Sequence, residues 1–207
     1  MRRLRAVLWL AVLAVGLLPY TGFAQPDAAE HVYLTREQAL KEVLPTSVRY
    51  ITEQVTLNAA RVRQTEQALN RKLDGNAFDA VLAYDAGGEF VGYAVISEEI
   101  GKYRPITFIV GIDPQFRVAK VAIMAYREDR GGEVRTPRFL YQYKGKTARD
   151  PIRTNDDILN ISGATISVRA INSGVKRVLY LVTDHYRHAP PEPTYQAEKA
   201  LAEGGAK

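Results

Sequence analysis

The clearest pattern in this chain is an apolar stripe near its C-terminal end. Apolar side chains recur there at spacings of three and four residues, at Val168, Ile171, Val175, Val178 and Val182. This period is typical of one helix face that packs on a core. The pattern predicts a long amphipathic helix that begins near Thr165. Cations at residues 185–188 suit its C-terminal end, and the prolines at 190 and 191 stop it.

Two shorter helices are predicted before it. Thr35 and Gln38 have the spacing of a capping box, which opens a helix that Pro45 ends. Asn58 is placed to cap a second helix, which we expect to run to about Leu73 and to stop at residues 74–76. The pattern of residues 47–57 is ambiguous.

Apolar runs bounded by turn residues predict two β-hairpins in the middle of the chain. Residues 80–85 and 89–96 flank a glycine-containing loop, and residues 106–112 and 117–126 flank a second turn. The last run is almost continuously apolar, so we expect it to be a central strand covered on both faces. The pattern indicates an α+β fold: a single domain with a mainly antiparallel sheet, N-terminal helices and a long C-terminal helix.

Two segments do not follow these patterns. Residues 127–157 are polar and irregular, and they are too many for a simple connection, so we expect them to line a site. Residues 189–207 are polar and rich in alanine and glutamate, which predicts a disordered tail, with a loosely helical segment as the alternative. The folded domain is expected over residues 25–188.

Residues 1–24 have the pattern of a secretory signal peptide. Arginines at positions 2, 3 and 5 precede an apolar stretch at residues 6–18, which is short for a membrane span. Small residues near position 24 suit a cleavage site. We therefore expect a periplasmic or extracytoplasmic location; an uncleaved N-terminal membrane anchor is the alternative.

Charge and composition exclude several classes of function. The chain has 28 Lys and Arg and 23 Asp and Glu, a net charge of +5. The predicted signal holds three of these cations and no acidic residue, so the remainder carries about +2, which does not indicate a nucleic-acid partner. The absence of cysteine excludes disulfides, thiolate catalysis and iron–sulfur ligation.

Motifs of self-contained enzymes are missing as well. The sequence has no nucleophile elbow, P-loop or dinucleotide fingerprint, so hydrolase, nucleotidase and soluble dehydrogenase functions lack support. His185 and His188 are three residues apart, but Asp184 is their one evident acidic neighbour, and we expect no metal site there. We assign no catalytic residue to this chain.

The tetrapeptide Ser162-Gly163-Ala164-Thr165 stands where a loop becomes the long helix. The first turn of a helix leaves backbone N–H groups unpaired, here expected at Ile166, Ser167 and Val168. With the helix dipole these groups favour an anion such as phosphate by about 0.3–1 kcal/mol when exposed. The alternative is a small-residue turn that lets a helix begin close to a sheet.

These residues resemble the FMN-binding domain shared by the periplasmic flavin subunits of Rnf complexes and of the sodium-translocating NADH:quinone reductase. The resemblance covers about residues 34–188 and is strongest over residues 160–167 and 126–133. In that family a periplasmic flavin transferase takes FMN from FAD and esterifies its phosphate to the last hydroxyl residue of the motif. The resemblance implies that this residue is Thr165, and it implies FMN-binding roles for Ser162, Gly163, Ala164, Glu128, Gly131 and Gly132.

Elementary chemistry agrees with these roles. Gly163 removes a Cβ where the backbone must approach a ligand or take a positive φ, and Ala164 keeps access open. No histidine lies within ten residues of Thr165, so activation of its hydroxyl belongs to the transferase. Gly131 and Gly132 would let backbone N–H groups reach the flavin, with Glu128 fixing the loop. Without the resemblance, a solvated charged loop is favoured there.

Two departures from the family pattern and a set of aromatic residues complete the site hypothesis. Leu159 stands three positions before Ser162, where the attachment motif has an acidic residue. The upstream loop reads Glu-Asp-Arg-Gly-Gly-Glu rather than Glu-Thr-Pro-Gly-Leu-Gly. Five aromatic residues could stack on the isoalloxazine, although most are expected in the core or on the surface; they are Tyr103, Tyr126, Phe139, Tyr141 and Tyr143.

The sequence thus predicts an exported electron-transfer flavoprotein with FMN held covalently on Thr165. Its expected partners are a periplasmic FAD-dependent FMN transferase and a membrane or periplasmic redox protein. It would be a redox carrier and a substrate of the transferase rather than an enzyme; a catalytic reductase is a further possibility, but the sequence identifies no substrate pocket for it. The alternative is a sensory or regulatory module of a membrane redox complex that binds flavin noncovalently.

Overall fold

One antiparallel sheet forms the centre of this protein, which we describe from a computed structural model for residues 31–191. Its strands are β1 His31–Val32, β2 Arg49–Thr56, β3 Ala77–Tyr84, β4 Phe90–Ile100, β5 Pro105–Ile112 and β6 Val118–Tyr126. They lie in the order β1-β6-β5-β4-β3-β2. The helices are α1 Arg36–Val43, α2 Ala59–Leu69, α3 Pro137–Leu140 and α4 Thr165–Tyr186. This architecture confirms the predicted α+β fold.

Parts of the predicted organisation lie beyond this range. The predicted signal peptide, residues 1–24, is outside the described residues, and so are residues 192–207 of the predicted tail. Within residues 31–191, no helix combines the length and the apolar character needed to cross a membrane.

Helices cover both faces of the sheet and divide its core in two. α4 packs on one face with Val121 and Ile123 of β6, whereas α1 packs on the other with Ala122 and Met124. Because successive strand residues point to opposite faces, the continuous apolar run of β6 serves both cores. The predicted burial on both faces is confirmed. The predicted central position is wrong, because only the two-residue β1 lies outside β6.

The predicted stripe of α4 forms the middle of the larger core. Each of its five residues is at most 2% exposed. Gly174 allows the close approach of helix and sheet, since a Cβ there would lie 2.4 Å from Cζ of Phe108 and 2.7 Å from Cγ of Glu99. The middle of α4 is thereby held close to β4 and β5.

Local signals define the two N-terminal helices. The capping box of α1 is present: Thr35 Oγ1 accepts from the N–H of Gln38 at 3.3 Å, and Gln38 Oε1 accepts from the N–H of Thr35 at 2.9 Å. Asn58 caps α2 as predicted, but the helix ends at Leu69, four residues early. The reason is Asn70, which takes a left-handed conformation with φ of 50° and terminates the helix. The ambiguous residues 47–57 contain the edge strand β2.

Both predicted hairpins are present, and a third joins them. The Asp113 carboxylate orders one turn by accepting from the N–H groups of Gln115 and Arg117, both at 2.9 Å. β4 extends to Ile100, beyond the predicted end at residue 96, and its residues 93–100 pair with β5. The connection between them is a tight turn in which the N–H of Gly101 donates to the carbonyl of Arg104 at 2.9 Å. This turn forms one side of the cleft that contains Thr165.

Residues 127–157 are less irregular than predicted. They contain 3-10 turns at Gly132–Arg135 and Tyr141–Tyr143 on either side of α3. Buried side chains anchor the segment in the α4 side of the core, among them Val134, Phe139, Tyr143 and Ile152. Its apolar residues are too widely spaced to show a helical or strand period, which is why the sequence pattern looked polar.

Candidate functional site

Two segments that are far apart in the sequence meet at one end of the sheet. The loop after β6 carries Gly131, and the loop before α4 carries the tetrapeptide of residues 162–165. A Cβ on Gly131 would lie 3.0 Å from Oγ of Ser167 and 3.4 Å from Cβ of Ala164. The structure therefore brings the two sequence-predicted segments together.

Gly131 is required at this junction for two reasons. Its φ is +89°, a conformation that favours glycine. A Cβ would also lie 2.6 Å from the phenol oxygen of Tyr126, which is too close for an ordinary contact. Gly163 differs, because it has φ of +83° but nothing within 4 Å of its Cβ position. Its requirement is thus conformational rather than steric.

A buried hydroxyl pair joins the two segments. The phenol of Tyr126 donates to the carbonyl of Arg130 at 2.6 Å and lies 2.9 Å from Oγ of Ser167. With the phenol proton used on Arg130, the Ser167 hydroxyl donates to Tyr126. Burial raises the pKa of Tyr126, and the hydrogen bond with Ser167 offsets part of that rise, so the phenol stays protonated at neutral pH. No local pattern in the sequence signals this pair.

The first turn of α4 is open at its N-terminal end. Ala164 is the N-cap residue, and no side chain among the described residues caps the helix. The N–H of Val168 donates to the carbonyl of Ala164 at 2.9 Å, so the expectation that it is unpaired is wrong. The helix begins at Thr165, and its first-turn N–H groups are those of Thr165, Ile166 and Ser167. They leave the positive end of the helix dipole available to an anion.

The Thr165 side chain is half-buried beside this open helix end. Its Oγ1 accepts a hydrogen bond from the side-chain amide of Asn160 at 2.9 Å. In the part of the chain that the structure describes, no carboxylate or histidine bonds to this hydroxyl. Asn160 orients the hydroxyl but is not a base that could take its proton. The motif pattern in the sequence does not single out Asn160.

Glu128 holds a neighbouring hairpin rather than pointing at the helix start. Its Oε1 accepts from the N–H of Tyr103 at 2.6 Å and from the N–H of Arg104 at 3.0 Å. Gly101 is tightly packed against it, since a Cβ there would lie 2.7 Å from the same oxygen. Glu128 thus fixes the β4–β5 turn to the loop that contains Gly131.

A cleft of ≈ 470 Å³ opens between this turn and the start of α4. Lys102 and Tyr103 form one side, and residues 163–167 form the other. The Tyr103 side chain is 74% exposed and Ile166 is 48% exposed, so apolar surface lies beside the Thr165 hydroxyl. An adjoining cleft of ≈ 750 Å³ contains Gly132 and Ser162. Together they contain all seven residues to which the resemblance assigns FMN binding.

The five candidate aromatic residues are in different places. Tyr103 lines the Thr165 cleft, and Lys102 Nζ lies over its ring, 4.7 Å from the ring centroid. Tyr126 is buried at the junction already described, and Phe139 and Tyr143 are buried in the core. Tyr141 is 70% exposed in a separate cavity. Tyr103 is therefore the one with an exposed ring beside Thr165.

Asp157, just upstream of Leu159, does not take the place of the carboxylate that the family's attachment motif has at position 159. Asp157 accepts from the N–H groups of Ile152 and Arg153 at 3.1 and 2.7 Å, and it pairs with Lys146 at 2.8 Å. Leu159 itself is 73% exposed. The surface before Ser162 thus presents an apolar side chain where the attachment motif has a carboxylate.

The two histidines lie at the other end of α4. His185 Nε2 is 3.7 Å from Oε1 of Glu53, and its ring packs edge-on against Tyr186 at a centroid distance of 4.6 Å. A helix rises about 1.5 Å per residue, so this end is roughly 30 Å from Thr165. Among residues 31–191, no three His, Cys, Asp or Glu residues are grouped as metal ligands.

Comparison with known proteins gives a family match for the part of the chain that contains this site. Residues 101–180 match the model of the FMN-binding domain, and this stretch contains the β4–β5 turn, Glu128, Gly131 and Thr165. This match confirms the resemblance to that family over residues 101–180 and supports FMN as the cofactor.

Two named proteins are similar to this chain. One is a subunit of the ion-translocating oxidoreductase complex of Methanosarcina acetivorans, to which the chain is 27% identical over 173 residues, covering 78% of this chain and 83% of that protein. The other is NqrC from Shewanella oneidensis, whose crystal structure matches with a TM-score of 0.47 and 16% identity, over 66% of this chain and 80% of that one.

Proposed function

We propose that this protein is an exported electron carrier that holds FMN through a phosphoester on Thr165. The observation that carries the proposal is the hydroxyl of Thr165 at the uncapped start of α4, inside a cleft built with the Gly131 loop. The match to the FMN-binding domain supports the cofactor. The attachment, the export and the partners below are inferences from the site and from the family.

The residues at the helix start suit a phosphoester. A phosphodiester keeps one negative charge, and the N–H groups of Thr165, Ile166 and Ser167 with the helix dipole would stabilise it by about 0.3–1 kcal/mol, or up to about 2 kcal/mol where partly buried. Gly163 leaves open space before the hydroxyl, with nothing within 4 Å of its Cβ position. The helix start thus offers a phosphate N–H donors, while Glu128 and Asp129 also line the cleft.

The attachment chemistry needs an external enzyme. Thr165 Oγ1 would attack the phosphorus of the FMN half of FAD, the pyrophosphate P–O bond would break, and AMP would leave. The hydroxyl proton must pass to a base, and Asn160 bonds the hydroxyl at 2.9 Å as a donor, with an amide that is not a base. We therefore assign the base to the FAD-dependent FMN transferase.

With FMN attached, the protein would transfer electrons. Bound FMN supplies reversible redox chemistry, while the protein sets its exposure and surroundings. Tyr103 and Ile166 present exposed apolar surface beside Thr165, where an isoalloxazine could be partly covered. The relative from Methanosarcina acetivorans is named as part of an ion-translocating oxidoreductase complex. By analogy we propose a membrane redox complex as the partner, reached after export by the predicted signal at residues 1–24.

Intact mass after co-expression with a flavin transferase tests the attachment. The mass should rise by one FMN less one water, and the band should fluoresce under ultraviolet light on a denaturing gel. Thr165→Ala should abolish both signals, and Thr165→Ser should retain part of them. Thr56→Ala is the matched control, because this threonine is exposed on the edge strand β2, lies outside both clefts and should keep the label.

Two outcomes would refute covalent attachment to Thr165. Label that persists in Thr165→Ala would place the ester on another residue. Flavin that co-purifies but is lost on denaturation would instead support the noncovalent regulatory module. The same mass measurement reports whether residues 1–24 are removed, which tests export.

A further inference from the structure

A second cleft lies beside the candidate flavin site and shares no lining residue with it. It has a volume of ≈ 420 Å³ and is bounded by the end of α2, by residues 151–154 and by one face of α4. The α4 face is formed by Arg169, Asn172, Ser173 and Lys176. Their spacing of three and four residues places them on one side of the helix. This size is within the range of small-molecule pockets, about 300–1,000 Å³.

The charge of this cleft is positive. Its lining includes Arg71, Arg153, Arg169 and Lys176 and no acidic side chain. Arg71 and Arg177 share two carboxylates, Glu99 at an N–O distance of 3.0 Å from each and Asp74 at 3.9 and 3.5 Å, so Arg71 is compensated. Arg153 and Arg169 are exposed and form no ion pair with any residue of the described range 31–191. These two arginines are the uncompensated cations of the cleft.

The polar groups of the cleft are mainly donors. Ser173 Oγ already accepts from Arg71 at 2.6 Å, and Thr154 Oγ1 accepts from Asn172 at 3.1 Å. Each hydroxyl proton therefore remains available, since neither donates to a described group. Lys176 Nζ donates to the carbonyls of Ala148 and Asp150, which leaves its third N–H. Such a set recognises a ligand with several acceptor oxygens and negative charge.

The loop that forms one wall is held in place before any ligand binds. Ile152 and Asn155 have φ of 48° and 64°, and a positive φ is a rare conformation for a β-branched residue such as isoleucine. The Asp157 carboxylate binds the N–H groups of Ile152 and Arg153, and Lys146 in turn binds Asp157. Strained backbone persists where the surrounding structure fixes it, often at ligand sites. Here the bonds to Asp157 hold the loop so that Arg153 and Thr154 lie at the cleft.

We propose that this cleft binds a phosphomonoester, with Arg153 and Arg169 as its charged contacts and Thr154 and Ser173 as hydroxyl donors. The apolar side of the cleft, with Leu69 and Pro151, suits the organic part of a nucleoside monophosphate. The inference goes beyond the proposed flavin carrier and does not depend on it.

Calorimetric titration of the purified protein with AMP and with inorganic phosphate, at fixed low ionic strength, tests the proposal. The double variant Arg153→Ala/Arg169→Ala should bind AMP about tenfold or more weakly, because two charge-assisted contacts are lost. Arg63→Ala is the matched control, since it removes an exposed arginine of α2 outside the cleft and should bind as the wild type does. Tighter binding of AMP than of phosphate would show that the organic part is recognised.

Several outcomes would overturn the proposal. One is no binding of either probe at millimolar concentration, and another is equal weakening in Arg63→Ala, which would show nonspecific charge attraction. Binding unchanged in the double variant would place the anion elsewhere, such as at the start of α4. Preferential binding of a polyglutamate peptide would indicate an acidic protein partner instead. Thr165→Ala should still bind AMP while losing flavin attachment, which separates this result from a failure of the proposed function.

Discussion

The hydroxyl groups of Tyr126 and Ser167 lie 2.9 Å apart and join the end of β6 to the first turn of α4. Tyr126 is 2% exposed and Ser167 is 5% exposed, so the contact is shielded from water. The same phenol binds the carbonyl of Arg130 at 2.6 Å, which turns the chain into the loop of Gly131. One side chain thereby fixes both segments that the family resemblance assigned to the flavin.

Removing this phenol should destabilise the protein. Tyr126→Phe leaves the Arg130 carbonyl and the Ser167 hydroxyl without their partner, and we expect a loss of about 1–3 kcal/mol in the free energy of unfolding. Urea unfolding measures it. The matched control is Tyr141→Phe, whose ring is 70% exposed and which should change stability by less than about 0.5 kcal/mol. Equal effects of the two substitutions would show that the hydroxyl pair contributes little.

A comparison of two glycines separates steric from conformational requirements. Gly131 and Gly145 have φ of +89° and +79°, but only Gly131 has a neighbour near its Cβ position. Gly145→Ala should cost about 1–2 kcal/mol from backbone strain. Gly131→Ala should cost about 1–3 kcal/mol more, because the methyl group must displace Tyr126. Similar unfolding midpoints for the two variants would contradict the close contact at Gly131.

The role of Glu128 in holding the β4–β5 turn can be measured locally. Glu128→Ala removes the acceptor of the Tyr103 and Arg104 N–H groups, so their hydrogen exchange should become roughly tenfold faster. Hydrogen exchange read by NMR or mass spectrometry reports it. The control is Glu133→Ala, which removes another carboxylate from the same loop. Among the described residues the Glu133 side chain accepts no backbone N–H, so this variant should leave residues 101–104 protected. Unchanged protection in Glu128→Ala would mean that strand pairing alone orders the turn.

The Asp157 carboxylate predicts a pH dependence of stability. Burial acts to raise its pKa, but Lys146 and the N–H groups of Arg153 and Ile152 outweigh this effect and hold the pKa below its usual range. The stabilisation is present above the unfolded pKa, about 3.9, and is lost as the pH falls through the folded pKa. Asp157→Asn should therefore lower stability at pH 7 and flatten its decline in acid.

Urea unfolding between neutral pH and pH of about 3 measures this difference. Asp156→Asn is the control, since Asp156 is an exposed neighbour and should keep the wild-type acid profile. If Asp157→Asn loses stability in acid as steeply as the wild type does, the ion pair with Lys146 is not the source of the dependence.

The sequence predicted those elements whose signals are local. Thr35 and Asn58 act as caps, and the turn at Asp113 forms from contacts within a few residues. The edge strand β2 stayed ambiguous because most of its residues are partly or fully exposed and carry little periodic burial. The end of α2 depends on the left-handed conformation of one residue, Asn70, which composition does not reveal.

The candidate site was predictable as a motif but not as a set of contacts. Thr165 and Gly131 could be singled out from the pattern and the family resemblance. The contacts that unite them are long-range: Tyr126 with Ser167 spans 41 residues, and Glu128 with Tyr103 spans 25. Asn160 is local to Thr165, and its amide could have been considered as a donor from its position five residues upstream. Pairing across such separations depends on the register of the sheet, which local propensity does not specify.

The apolar residue before the attachment motif predicts a gain in flavin attachment on substitution. Leu159 is 73% exposed, so Leu159→Asp should change stability by less than about 0.5 kcal/mol. It would restore the carboxylate that the family motif has at this position and give a transferase a charged contact. For an exposed contact of roughly 0.4–1 kcal/mol, the initial rate of FMN attachment should rise about two- to five-fold. Timed in-gel fluorescence with purified transferase and FAD measures this rate. Leu159→Asn is the matched control, because it has nearly the same size and no charge. Equal rates for the Asp and Asn variants would show that the carboxylate is not what the transferase reads, and an equal increase in Thr165→Ala would show that the label is not at the motif.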